Sequence, residues 1–599
     1  MKVLLINSPG GYEYMPYLAI PLLKGYIECN SNHSVDHIDV NLDYNYYKWS
    51  TECCIKLKTI LSSFNIENNK NLYYSTLNEC LLENINNSYK SLQKKETYSD
   101  RNKVEYHLSI LRSVDKLINF IDKENGYYKQ LQPRKLSEIH NLIINYENSF
   151  CGKWIEKNIN NYNLDDYRLI GLSITYIEQL IPSLYIAKII KKRYPEIKIL
   201  VGGTLITHFK HEFLVDNKIW NNIDYCTFYQ GEDTLIKLFD NIENNNYSNM
   251  DDIAYINNNK ITYTAGKSKK NKPQSIPDFS GIDLWKFPTP KPIIPILTSK
   301  GCYWGKCSYC SHYEGYGSGY YKFNNNIVIQ TIKKIQTKHD IEYFYFVDEA
   351  IPYKNIHEIS KQLIDDDISI KWYGEARVDR GCYSKDDLKE LKDAGCIYLI
   401  NGIESGNSKV LKEMNKGIDL NNVEEYLINC NKVGIGTLAM FFVGFPTESY
   451  QQAEDTYKFI LKNKDILTYA TIGVFSLERH TDVYNNPEKY GINLIVDKDK
   501  DYSDSVDYIL SGSDQISTYN NRLKILKQLN KKYEFMDHKL TGILNRESLI
   551  FLKEMGGDKV SYTYNEDIHF ITIIKKGKYK GRKAKIYILK SKIEIFTDR

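Results

Sequence analysis

Between residues 295 and 480 the sequence alternates short apolar, β-prone runs with stretches of helical period, and it does so six times. The candidate strands are 295–299, 343–347, 370–374, 397–402, 437–443 and 470–475. Helices fit between them, for example 385–393, with Ser384 as N-cap, and 423–433. Strands separated by helices run parallel, and right-handed crossovers curl such a sheet into a barrel. The repeat predicts a partial (β/α)6, TIM-like barrel, with its chemistry at the C-terminal ends of the strands.

A chain of 599 residues is too long for one core. An earlier α/β rhythm supplies a second. Strand-like runs at 3–6, 35–40, 169–175, 198–203 and 225–230, with helical stretches at 17–28 and 180–193, predict a Rossmann-like doubly wound parallel sheet. Residues 44–163 interrupt it. They are polar, with amphipathic stretches such as 106–120, and too long for a plain loop. They read as a mainly helical insertion that packs on the neighbouring domain or shapes a substrate entrance. The expected division is 1–250 for the first domain, 251–294 for a hairpin and linker, 295–480 for the barrel and 481–599 for a small α+β region. In the last region 559–599 alternates apolar and polar residues as an antiparallel β unit does.

Charge and composition exclude several classes. The 79 basic and 75 acidic residues give a net charge of +4, without the basic excess of a nucleic-acid-binding surface. No run of 18 apolar residues offers a membrane span, and the start lacks the apolar core and cleavage site of a signal peptide. Twelve cysteines are scattered, apart from one cluster, so a reducing cytoplasm is the expected compartment. The 51 tyrosines reflect a compositional bias and carry no function.

The cluster is Gly301-Cys-Tyr-Trp-Gly-Lys-Cys-Ser-Tyr-Cys310, just after the first barrel strand. Cysteines at C-x4-C-x2-C spacing can present Cys302, Cys307 and Cys310 to one metal centre. Three thiolates on a 4Fe–4S cluster leave the fourth iron open for a small chelating ligand. The alternative is zinc, which in structural sites takes four protein ligands. His312 could be the fourth.

With this context, and a glycine-rich loop at 315–319, the segment resembles the radical S-adenosylmethionine (SAM) superfamily. The commonest family spacing has one residue fewer in the first gap; some cobalamin-associated members share the wider gap. The resemblance implies that Tyr309 lies near the adenine of SAM. It places Asp348 and Glu349 near the methionyl amine, Glu375 and Arg377 near its polar groups, and Glu404 and Ser405 on the ribose. It also implies that the 442–448 segment, with Gly444, backs the adenine. Asp348, Glu404 and Glu448 have a plainer reading as helix caps.

Residues 171–175 and 201–204 resemble the cobalamin-binding domain often fused before such a barrel. That likeness implies Ser173, Thr175, Gly202, Gly203, Gly231 and Glu232 as neighbours of cobalamin. The Asp-x-His-x-x-Gly motif whose histidine ligates cobalt is missing, since His37 has no following glycine at the required place. Cobalt is then held without a protein imidazole, or the domain binds no cobalamin.

The function implied is reductive cleavage of SAM to a 5′-deoxyadenosyl radical that abstracts a substrate hydrogen, with an external one-electron reductant such as flavodoxin or ferredoxin. Cobalamin-dependent C-methylation of a small-molecule or peptide precursor leads. A cyclase, epimerase or rearrangement enzyme without cobalamin, and a zinc-stabilised binding module, are the alternatives. A methylthiotransferase would need a second three-cysteine cluster; Cys53, Cys54, Cys80 and Cys151 lack its spacing.

Overall fold

The run Val3–Ile6 is apolar on both faces of a strand, and such strands are buried on both faces. In the structure, a computed structural model, Lys2–Asn7 (β1) lies inside a seven-stranded sheet. Described are all residues except 64–83, 126, 128–135, 245–246, 248–249, 267–273, 312–318, 496–504, 512–515, 518, 534–543, 559–568, 574–582, 590–591 and 598–599. His312 and most of the glycine-rich loop lie outside the described residues.

The first sheet has the order β2-β1-β3-β4-β5-β6-β7, with β2 Ser34–Asp39, β3 Leu169–Ser173, β4 Lys198–Gly202, β5 Tyr225–Thr227, β6 Ile253–Asn257 and β7 Lys260–Thr264. Its first five strands are parallel. The chain steps from β1 to β2 on one side and to β3 on the other, so the doubly wound switch point falls between β1 and β3. The 253–264 hairpin joins this sheet antiparallel, β6 pairing with β5, so the sheet extends past residue 250 into the stretch read as hairpin and linker.

The second sheet has the order β15-β14-β13-β12-β11-β8, every neighbouring pair parallel. Its strands are β8 Ile293–Ile296, β11 Tyr343–Ile351, β12 Lys371–Ala376, β13 Cys396–Glu404, β14 Gly436–Val443 and β15 Tyr469–Val474. This is the six-stranded partial barrel. Side-chain alternation sorts its residues onto two faces. Phe344, Phe346 and Trp372 face the outer helices, with Phe346 stacked on Trp372 at 4.8 Å. Tyr343, Tyr345, Tyr373 and Tyr398 face the lumen. There Tyr345, Tyr373 and Tyr398 stack in register across three strands, with ring centroids 4.5 and 4.6 Å apart.

Two other parts of the chain fill that lumen. The helix Arg101–Glu124 of the insertion buries a stripe at helical period that includes Val104, Leu108, Leu111 and Val114. The helix Arg546–Met555 sends Leu549, Ile550, Phe551 and Leu552 into the same core, each at most 1% exposed. Glu554 at its end meets Tyr343 and Lys371 at the start of their strands, while Arg546 meets Glu375 near the end of β12. The helix therefore lies along the lumen with its N-terminus toward the C-terminal ends of the strands. The chain closes on an antiparallel unit, His569–Ile573, Lys583–Leu589 and Lys592–Thr597. Among the described residues no helix is long and apolar enough to cross a membrane.

Candidate active site

The cysteine segment leaves the barrel from the C-terminal end of β8. Two short strands, β9 (Ser299–Lys300) and β10 (Tyr321–Lys322), pair antiparallel and close its neck. Asp348 fixes that neck from β11. Its carboxylate, 1% exposed, accepts from Thr298 N (3.0 Å), Thr298 Oγ1 (2.8 Å) and Ser299 Oγ (2.5 Å). Burial raises its pKa to about 6, although these hydrogen bonds work the other way.

The loop is also tied down on the far rim. Ser308 N donates to Met414 O at 2.9 Å, and Val483 N to Ser308 O at 3.0 Å. Trp304 Nε1 donates to Asn415 O (3.0 Å), Asn415 Nδ2 to Lys306 O (2.9 Å) and Ser311 Oγ to Glu478 (2.7 Å). The Trp304 ring lies on the turn at Gly417, where φ is +70° and a Cβ would stand 2.2 Å from the ring. Arg377 stacks on the same ring at 4.1 Å and bonds Asp379 (2.7 Å) and the Lys416 carbonyl.

Cys302, Cys307 and Cys310 thus hang from a loop anchored between them. All three are half-buried and none is in a disulfide. Burial raises the Cys307 thiol pKa, with the cations of Lys416 and Arg377 pulling it down. Among the described residues no three His, Cys, Asp or Glu side chains are grouped closely enough to hold a metal ion, so the thiols share one rim without converging on a point. By donor chemistry and placement they fit an iron–sulfur cluster. They are three accessible thiols on one pinned loop at the strand ends, beside two cations that favour thiolate.

Next to them, Tyr309 meets Phe442 edge-on at 5.1 Å and accepts from Lys416 Nζ at 3.3 Å. Lys416 pairs with Glu404 at 2.8 Å, the two side chains only 10% and 13% exposed. Burial works against the Lys416 ammonium, but Glu404 outweighs it and holds the pKa above the usual lysine value. The structure therefore gathers Tyr309, Glu404 and Phe442 beside the cysteines. Asp348 and Ser405 face inward instead, Ser405 being fully buried with its Oγ accepting from Asn407 N at 3.1 Å, while Arg377 lies near Cys307 but spends its hydrogen bonds on Asp379 and the Lys416 carbonyl. Gly444, at φ +86°, donates to Glu448 at 2.5 Å under the Arg522 side chain. Glu375 lies deeper, bonded to Arg546 (2.7 Å) and Tyr345 (3.0 Å), with half-buried Glu349 near enough to raise its pKa further beyond the effect of burial. Sequence reasoning missed Lys416, Trp304 and Arg546. Trp304 sat inside the motif, but the other two carry no local signal.

On the first domain, half-buried Ser173, Thr175, Gly202, Gly203 and Gly231 rim the C-terminal edge of the parallel strands. Ser173 closes β3, and the Thr175 N–H is held by Gln179 at 2.9 Å. Gly202 and Gly203 are there for close packing within the domain, a Cβ standing 2.6 Å from Thr227 Oγ1 and 2.4 Å from Ile174 O, so the fit to a flat ligand such as a corrin rests on the position of this small-residue edge at the strand ends. Glu232 is not free for one, since it pairs with Lys300 of the barrel at 2.6 Å, both nearly buried. His37 stands in the middle of β2, opposite Leu5, and burial pushes its pKa down to about 3. It is a core residue.

Residues 296–460 match the family model of the radical SAM superfamily. Over this stretch the barrel is similar to that superfamily. An uncharacterised methyltransferase of Pyrococcus horikoshii is 24% identical over 304 residues, 50% of this chain and 64% of that protein. The bacteriochlorophyllide d C-12(1)-methyltransferase of Chlorobaculum tepidum is 29% identical over 212 residues, 34% of this chain and 45% of that one. The chain thus spans about half to two thirds of these relatives' length. In fold it is similar to the radical SAM methyltransferase TsrM from Kitasatospora setae, solved with cobalamin and a 4Fe–4S cluster bound. There the TM-score is 0.55 with 12% identity, covering 90% of each chain.

Proposed function

We propose that this protein is a cobalamin-dependent radical SAM enzyme that methylates an unactivated carbon of a small molecule or peptide, drawing electrons from an external one-electron reductant. One observation carries the reading: three thiols on a pinned loop at the mouth of a radical SAM barrel, faced by a Rossmann edge of small residues. When bound, the cluster supplies one electron to the SAM sulfonium to make a carbon radical, and cobalamin supplies a transferable methyl group.

The chain's own residues bind and shield. Cys302, Cys307 and Cys310 would hold the cluster. The Tyr309–Phe442 pair lines the adenine side, and the Lys416–Glu404 couple turns polar groups toward the ribose. Asp348, Arg377 and Ser405 act as positioning residues, since their polar atoms hold the loops that form the cradle. Tyr345, Tyr373 and Tyr398, with the helix Arg546–Met555 behind them, close the lumen against water, which would otherwise scatter a reactive intermediate.

Anaerobic reconstitution with iron and sulfide, in the presence of added hydroxocobalamin as methyl acceptor, tests this. The expected protein is brown, cleaves SAM under reduction and forms 5′-deoxyadenosine together with S-adenosylhomocysteine. The triple Cys302, Cys307 and Cys310 to alanine variant loses both colour and cleavage. Formation of 5′-deoxyadenosine alone would remove methylation from the reading, and a zinc-only protein would remove radical chemistry.

A further inference from the structure

A second open space lies between the two α/β units. It is a cavity of about 450 Å3, bounded on the Rossmann side by the helix Thr204–His208 and on the barrel side by Arg479 and His480. Thr207 ties it to the C-terminal edge of the first sheet, because its Oγ1 accepts from Tyr229 N just beyond β5 at 2.8 Å. Glu478 ties it to the cysteine segment through Ser311, one residue before Arg479.

The cavity is electropositive. Lys210, Arg479 and three histidines line it, and Glu212 is the lining carboxylate. Arg479 Nη1 makes a loose ion pair with Glu212 at 3.6 Å, beyond hydrogen-bond reach, and among the described residues its buried Nε has no hydrogen-bond partner. His208 meets His480 edge-on at 5.3 Å. Burial, then His480 and Arg479, push the His208 pKa down to about 4. Lys210 is engaged elsewhere, donating to Tyr263 Oη at 2.6 Å. A buried guanidinium donor without an acceptor is costly, and a tetrahedral oxyanion matches its fork of N–H groups. A bare carboxylate is already present in Glu212 and does not complete it.

We propose that this interdomain cavity is a phosphate-binding site in which Arg479 supplies the guanidinium and His208 and His480 flank it. Two sources carry that chemistry: the phosphodiester in the nucleotide loop of cobalamin, or a phosphorylated small molecule. The first rests on the cobalamin-dependent reading above; the second does not.

The test is binding to the full chain, wild type against Arg479→Met and Arg479→Lys, with thermal melting as a check on folding. Hydroxocobalamin and cobinamide, which lacks the nucleotide loop, are measured by equilibrium dialysis, and pyrophosphate by calorimetry. If the nucleotide loop is the occupant, Arg479→Met weakens hydroxocobalamin at least tenfold, leaves cobinamide within twofold, and Arg479→Lys recovers part of the loss. If a phosphorylated small molecule is the occupant, pyrophosphate binds wild type at least tenfold better than Arg479→Met and does not compete with cobalamin. Arg479-independent binding of all three probes overturns the site. A wild type that binds no cobalamin sinks the functional reading, and the pyrophosphate result then decides the cavity alone.

Discussion

Asp348 shows how a carboxylate at a strand end can hold a loop instead of a ligand. Its pKa is about 6 in the folded chain against 3.8 as reference. The folded state thus binds the proton at a pH where the unfolded chain has lost it. This group adds stability that is complete below about 4 and lost as the pH rises through about 6. Urea midpoints of wild type minus Asp348→Asn, measured from pH 4 to 8, should fall between 4 and 6 and level off above 7. A difference that stays flat would contradict the burial argument. Lys416 offers a second residue-scale test. Lys416→Met leaves Glu404 buried without its counter-charge, at a cost of about 3–5 kcal/mol. It also releases Tyr309. Melting should drop, and SAM affinity by equilibrium dialysis should weaken at least tenfold, with Lys416→Arg in between.

At the scale of elements, the helix Arg546–Met555 does what a barrel's own strands cannot. A six-stranded sheet leaves an open lumen, and this helix fills it from the far end of the sequence. Phe551 is fully buried, with its ring 4.8 Å from Tyr343 and 5.3 Å from Tyr98. Phe551→Ala should cost about 3–5 kcal/mol as a lost transfer term plus a cavity. The expected readout is a lower chemical-denaturation midpoint and faster hydrogen exchange in Tyr343–Ile351 and Lys371–Ala376, with the first sheet unchanged. Equal loosening of both sheets would mean the helix serves the whole molecule and not the lumen.

At the scale of the whole molecule, the two α/β units meet at the Glu232–Lys300 pair, its side chains 9% and 13% exposed. Lys300 adjoins the cysteine segment, so this contact links the Rossmann edge to the mouth of the barrel. Glu232→Gln or Lys300→Met alone strands a buried charge and should speed exchange in 301–311. The double variant should recover much of the loss, because the penalty comes from the unpaired partner. If the double variant is as loose as the sum of the singles, the pair is not coupled.

The sequence by itself determined the five parallel strands of the first sheet, the six strands of the barrel, the helical insertion and the spacing of the three thiols, but not that the 253–264 hairpin extends the first sheet. Period-2 and period-3.6 patterning and the spacing of Cys302, Cys307 and Cys310 are local properties, readable without neighbours. Only the tertiary structure decided which polar groups remain available. Asp348, Arg377, Ser405 and Glu232 looked like ligand contacts in one dimension, and in three each is claimed by Thr298, Asp379, Asn407 or Lys300. Glu375 meets an arginine 171 residues away on a helix whose apolar stripe, as in any amphipathic helix, does not name the surface it covers. A polar side chain's role depends on which acceptor or donor the fold brings within 3 Å, and that distance is set by packing between segments far apart in the chain.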